Sequence, residues 1–117
     1  MSGGVANRAV LTGRLLELGA LRHTPAGIAA VEFRVVHQSV QSEAGSERRV
    51  ECEMPCVALG PLAGLVAGSK PGDAMTVEGF LAARSLKNRT AVLHVNTLEF
   101  LEGTENGFQT EERNQQA

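Results

Sequence analysis

Hydrophobic and polar positions alternate over several short stretches of this chain, a pattern typical of half-buried β-strands. The alternation is clearest in residues 28–40, where Val31, Phe33 and Val35 are predicted to face a core and the residues between them to face outward. Similar patterns predict further strands over residues 8–20, 48–59, 74–83 and 91–101. Pro and Gly residues separate these stretches, as expected of turns. The pattern therefore predicts a small all-β domain of five strands.

Four irregular positions indicate bends or edges in these strands. Gly13 and Gly79 lie inside the first and fourth strands, and a glycine within a strand often marks a bulge or a sharp bend. The alternation slips in the last strand, and a bulge near Asn96 would restore it. Pro55 lacks a backbone donor, which predicts a sheet edge or a bulge at that point. Strands bent in this way are typical of a barrel.

The segment between the third and fourth strands, residues 59–69, is apolar. Leu62, Leu65 and Val66 have helix-like spacing, but a proline and three glycines lie among them and weaken any helix. We expect an irregular connector, with room for one helical turn, that plugs an end of the barrel. A connector at this point fits the five-stranded oligonucleotide-binding (OB) fold best, although periodicity alone leaves other small barrels open.

The size and composition of the chain indicate one folded domain. Its 117 residues fit a single domain, which we place at residues 7–101 after a flexible, Gly-rich segment 1–6. Residues 102–117 are rich in Gly, Asn, Gln, Glu and Thr, and we expect them to form a disordered tail.

Charge is distributed unevenly between the domain and the tail. Residues 1–101 contain ten Lys or Arg against nine Asp or Glu, whereas residues 102–117 contain one Arg against four Glu. The domain is therefore nearly neutral, and nucleic-acid binding would require its cations to gather on one face. The chain has no Trp or Tyr and four Phe, which nearly excludes a site built of stacked aromatic rings.

No catalytic, metal or membrane motif stands out. Cys52 and Cys56 supply two of the four ligands that a structural zinc site needs, and we expect them to be free thiols. We predict no cofactor, no metal and no enzymatic activity. The sequence shows neither a signal peptide nor an apolar stretch of about 20 residues, so we expect a cytoplasmic protein without a membrane partner.

Several fragments, in this order and spacing, resemble bacterial single-stranded DNA-binding proteins: residues 7–14, 24–27 and 31–34. Others are similar to a narrower relative, the primosomal replication protein N (PriB) family: residues 37–41, 43–45, 52–55, 77–80 and 92–94. The resemblance implies a homodimer of OB folds that binds single-stranded DNA and helps restart replication. It also implies a partnership with the PriA helicase and other primosome proteins.

The candidate DNA-binding residues follow from charge and from this resemblance. Where the family has an aromatic pair around the loop after the second strand, this chain has Ser46 and Glu51, and Gln38 replaces a basic residue. Attraction to phosphate must then supply most of the affinity, because little base stacking is available. The candidates are Arg22, Arg34, His37, Arg48, Arg49, Phe80, Arg84, Lys87 and Arg89.

Plainer interpretations of these residues stay open. Seven cations on a soluble protein are also what an ordinary solvated surface shows. His37 fits a hydrogen-bonded histidine near the barrel rim, and His94 a structural or interfacial residue. Periodicity places Phe33 and Phe100 in the core and Phe80 on the opposite face. The alternative functions are a helicase-binding interaction module with little DNA affinity, and an RNA-binding barrel.

Overall fold

The computed structural model describes residues 4–101. All five predicted strand regions form strands, with one short strand and one helix in addition. The elements are β1 (Ala9–Leu18), β2 (Arg22–His23), β3 (Ala29–Glu43), β4 (Ser46–Leu59), α1 (Pro61–Ala67), β5 (Ala74–Ala83) and β6 (Ala91–Phe100). The predicted flexible start falls partly, and the predicted disordered tail wholly, outside the described residues.

The five long strands close into a barrel. The sheet order is β1-β5-β6-β4-β3-β2, and β1 also pairs with β3, which joins the two ends of the sheet. The β4–β6 pairing is parallel, while the other strand pairs are antiparallel. A helix connects β4 to β5. This arrangement is the OB fold, so the predicted fold class is confirmed.

Alternating residues of the strands fill the barrel. Val31, Phe33 and Val35 of β3 are buried, as predicted, and Met75 of β5 is fully buried with them. Phe100 was expected in the core, and that prediction is wrong. It pairs with Met75, but it is the last residue of β6 and 41% of its surface is exposed.

The connector is a more regular helix than the sequence predicts. α1 spans seven residues, with Pro61 in its first turn, where a proline is tolerated because no backbone donor is needed there. Ala63 and Val66 are both fully buried against the core cluster. Packing at the barrel end therefore stabilises a helix whose residues have weak intrinsic helix propensity.

Two glycines allow strands to approach closely. A Cβ atom at Gly79 would overlap the carbonyl oxygen of His94, and one at Gly13 would overlap that of Val36. The β5–β6 register shifts at Gly79 so that Asn96 is an extra residue, which confirms the predicted bulge. The register shift in β1 lies beyond Gly13, between Leu15 and Glu17.

The far ends of β3 and β4 extend beyond the barrel as a two-stranded arm. β1 pairs with β3 at residues 33–36, and β6 pairs with β4 at residues 56–57. In the described part of the chain, residues 37–43 and 46–52 pair only with each other. Pro55 directly precedes the β6 pairing, so its predicted position at an edge is confirmed.

No helix within residues 4–101 is long and apolar enough to cross a bilayer.

Candidate nucleic-acid interface

Four outward-facing residues lie side by side across four strands of the barrel. Glu32 of β3 is opposite Val57 of β4, Val57 is opposite His94 of β6, and His94 is opposite Phe80 of β5. The chain neighbours of Glu32, Val57 and His94 point inward: Phe33, Cys56 and Leu93 are buried. We call Glu32, Val57, His94 and Phe80 the outer row. With strands about 4.8 Å apart, it spans roughly 14 Å of the barrel surface.

One end of the outer row is aromatic. The rings of Phe80 and His94 are stacked, with centroids 5.1 Å apart and planes within 8° of parallel. Phe80 is 41% exposed and lies on the face opposite buried Met75, as its parity predicts. The two rings border a cleft of about 360 Å³, whose lining also includes Leu59 and Asn96. This end of the row offers flat ring surface to solvent.

Two arginines converge on the other end of the row. Arg22 of β2 donates a hydrogen bond to one carboxylate oxygen of Glu32 at 3.0 Å, and Arg84, just after β5, donates one to the other oxygen at 3.3 Å. All three side chains are between 37% and 55% exposed. Two cations from separate segments thus meet at one point of the surface, with a carboxylate between them.

Other candidate cations are also paired with carboxylates. Arg34 lies 3.5 Å from Glu17 and 3.9 Å from Glu53, and Arg48 lies 2.9 Å from Glu43. Together with Arg22 and Arg84, four of the seven candidate cations therefore have acidic partners. Their positive potential at the surface is reduced accordingly.

The remaining candidate cations are Arg49, Lys87 and Arg89, which are exposed and make no ion pair among residues 4–101. Lys87 and Arg89 lie in the loop between β5 and β6, the two strands that carry Phe80 and His94. Arg49 lies on the arm, eight strand residues from Val57, or about 26 Å. The structure thus places Arg22 and Arg84 at the outer row, Lys87 and Arg89 in the loop between two of its strands, and Arg48 and Arg49 far from it.

Both ring nitrogens of His37 are hydrogen-bonded within the chain. Nδ1 lies 2.7 Å from the carbonyl oxygen of Thr12, and Nε2 lies 2.8 Å from the hydroxyl of Ser39. A carbonyl oxygen can only accept, so Nδ1 carries the proton. His37 therefore links the base of the arm to β1.

The two cysteines are free and differ in environment. Cys52 is exposed, whereas Cys56 is buried. Burial raises the pKa of the Cys56 thiol to about 12 by disfavouring the thiolate. Within the described part of the chain, no three His, Cys, Asp or Glu side chains gather to hold a metal ion.

The sequence pattern indicated only Phe80 among the four members of the outer row and did not single out Val57. It treated Glu32 only as an outward polar residue and His94 only as structural or interfacial. A signal for His94 was available, because residues 80 and 94 are equally distant from the middle of the β5–β6 loop and would therefore lie opposite each other in a hairpin. No comparable signal existed for Glu32, because Arg84 lies 52 residues away in the chain.

Comparison with known proteins agrees with this architecture. Residues 7–97 match the model of a family described as "another single-strand binding protein family". The chain is 44% identical to the replication restart protein PriB of Bordetella pertussis, over 84% of this chain and 92% of that one. It is 34% identical to the protein of the same name from Nitrosomonas europaea, over 76% and 82% of the two chains.

Two solved structures are also similar. The PriB protein of Ralstonia solanacearum superposes with a TM-score of 0.74 at 31% identity, covering 82% of this chain and 98% of that one. A deletion mutant of the single-stranded DNA binding protein from Thermus aquaticus superposes with a TM-score of 0.71 at 26% identity. That match covers 84% of this chain and 51% of the other.

Proposed function

Because this chain belongs to the PriB family of single-strand binding proteins, we propose that it binds single-stranded DNA during the restart of replication. The family resemblance indicated by the sequence motifs is thereby confirmed. The proposed role is that of an accessory protein that holds DNA and catalyses no reaction.

The convergence of Arg22 and Arg84 at one end of the outer row carries this proposal. These two arginines, with Lys87 and Arg89 from the adjoining loop, supply positive charge beside a surface that also carries an exposed phenylalanine. Cations that track the phosphates, next to a ring on which a base can stack, are the combination used to bind single strands. In OB folds, the loops after the first and fourth long strands flank the ligand.

Titration against a labelled oligo(dT) at several salt concentrations tests the proposal. Binding should weaken with salt, with a log-log slope of about −0.7 for each phosphate contacted. A double substitution, Lys87→Ala with Arg89→Ala, should reduce the steepness of that slope by up to about 1.4. Lys70→Ala serves as the control, because Lys70 lies in the turn before β5, at the opposite end of that strand. Affinity that does not change with salt would contradict the proposal.

We also propose that the protein acts as a homodimer and with the PriA helicase. The support for both is the family membership and the motifs that resemble PriB. Sedimentation at micromolar concentration should show a dimer, and co-sedimentation with the helicase should show a complex. A monomer that does not co-sediment with the helicase would contradict both.

A second candidate function is a helicase-binding module with little DNA affinity. The carboxylates beside Arg22, Arg34, Arg48 and Arg84 favour it, because they offset the cations that phosphate would need. Stimulation of the helicase ATPase, together with no binding to oligo(dT) at low salt, would select this candidate over the first.

A further inference from the structure

We propose that the stacked rings of Phe80 and His94 form a subsite for a single nucleobase of the bound strand. This inference rests on the proposed binding of single-stranded DNA and adds the point at which a base is held.

The two rings form one platform. They lie on adjacent strands and in direct register, and their planes are within 8° of parallel, so each ring restrains the orientation of the other. The close passage of Gly79 against the His94 carbonyl fixes the spacing of β5 and β6 just beside the pair. A base that stacks on Phe80 therefore meets a surface that is already oriented, which lowers the entropic cost of binding.

The other phenylalanines of the described chain do not offer such a surface. Phe33 is buried in the core. Phe100 is exposed to the same extent as Phe80, 41%, but makes no ring stack within residues 4–101. Phe100 is consequently a natural control for Phe80.

The surroundings of the cleft suit a nucleotide. Asn96, the extra residue of the β6 bulge, lines the cleft and brings an amide that can both donate and accept hydrogen bonds at a base edge. β5 ends three residues beyond Phe80, about 10 Å along the strand, and the loop with Lys87 and Arg89 follows directly. Positive charge close to a flat apolar surface complements a phosphate joined to a base, and this favours a nucleotide over an apolar protein segment.

Two substitutions at equally exposed phenylalanines test the subsite. Phe80→Leu and Phe100→Leu are titrated against oligo(dT) and against an abasic oligonucleotide of equal length. Phe80→Leu should weaken binding to oligo(dT) by roughly 5- to 150-fold, the range of one base-stacking contact. It should leave binding to the abasic strand unchanged, because that strand has phosphates but no base to stack. Phe100→Leu should affect neither titration.

A fluorescence measurement provides a second readout that tolerates small losses of stability. The chain has no tryptophan, so Phe80→Trp introduces a single indole at the subsite and Phe100→Trp introduces one at the control position. Oligo(dT) should quench the indole at position 80 and leave the one at position 100 unquenched. The abasic strand should quench neither.

The possible results separate this inference from the proposed function. If Phe80→Leu binds oligo(dT) as tightly as Phe100→Leu, or loses equal affinity for the abasic strand, the subsite is overturned while DNA binding stands. Equal quenching at positions 80 and 100 overturns it in the same way. If the unchanged protein binds neither oligonucleotide at low salt, the proposed function itself fails.

Discussion

Replacing Glu32 with glutamine should strengthen the attraction of Arg22 and Arg84 for phosphate, because both arginines are paired with the Glu32 carboxylate. The Glu32 carboxylate holds Arg22 at 3.0 Å and Arg84 at 3.3 Å. Glutamine has nearly the same shape and retains an acceptor oxygen, but it carries no charge. Because these pairs are well exposed to solvent, each contributes only about 0–1 kcal/mol to stability, and the variant should fold normally.

The expected gain in affinity follows from the number of cations released. Each arginine that gains a phosphate adds about 0.7 to the steepness of the salt slope, or about fivefold in affinity for every tenfold fall in salt. Two arginines give an increase of about 25-fold at 0.1 M salt relative to 1 M. The variant should therefore bind oligo(dT) about 5- to 25-fold more tightly than the unchanged protein at 0.1 M and equally at 1 M.

Fluorescence anisotropy of a labelled oligo(dT), recorded between 0.1 and 1 M salt, measures this gain. The Debye length at these salt concentrations is about 10 Å or less, so the attraction between arginine and phosphate is increasingly screened as salt rises. Asp73→Asn is the matched control. It removes one negative charge and the partner of Lys70, but at the opposite end of β5. If Glu32→Gln gains no more affinity than Asp73→Asn, Arg22 and Arg84 do not reach phosphates, and the proposed role of these two arginines in binding is wrong.

Three further predictions concern stability and reactivity. Because burial raises the folded-state pKa of Cys56 to about 12, against 9.0 for a free thiol, the contribution of Cys56 to the free energy of unfolding should be constant below pH 9 and fall by about 1.4 kcal/mol per pH unit between pH 9 and 12. Chemical denaturation should show this fall in Cys52→Ala and a flatter profile in Cys56→Ala; equal profiles would contradict it. A thiol reagent should label Cys52 quickly in the native protein and should label Cys56 only when the protein unfolds. Equally fast labelling of both thiols in the native protein would contradict this prediction. Gly79→Ala should lower the free energy of unfolding by on the order of 3 kcal/mol, because its Cβ would overlap the His94 carbonyl. Gly64 is exposed in α1 with open space around it, so Gly64→Ala should raise the free energy of unfolding by about 1 kcal/mol. Thermal denaturation that ranks the two variants the other way would refute both.

The sequence pattern predicted the barrel because strand alternation records directly which residues face the core. Val31, Phe33 and Val35 are buried as their spacing requires. The slip in β6 predicted an extra residue at Asn96, since one inserted residue exchanges the two faces of a strand.

The pattern failed where non-local packing decides the outcome. α1 forms although its glycines disfavour a helix, because Ala63 and Val66 bury their side chains at the barrel end. Phe100 has the parity of a core residue but lies at the end of its strand, where the barrel no longer covers it. Periodicity reports the direction of a side chain and says little about how much of it is covered.

Only part of the candidate site could be predicted from the sequence. Cationic residues were visible, but whether a carboxylate sits beside each one depends on strands far apart in the chain, as for Glu32 and Arg84. The stacking of Phe80 on His94 likewise depends on the exact register of β5 and β6. The contacts of the nine candidate residues with DNA stay predictions.

Within residues 4–101, the seam between β4 and β6 consists of two residue pairs, and one of them is Val57 with His94. The outer row therefore crosses the seam where local opening of the barrel is easiest. A strand of DNA lying along the row would bridge both sides of that seam and favour its closed form. Amide hydrogens of β4 and β6 beside the seam would then exchange more slowly in the complex. Slower exchange at these positions would therefore mark an occupied site.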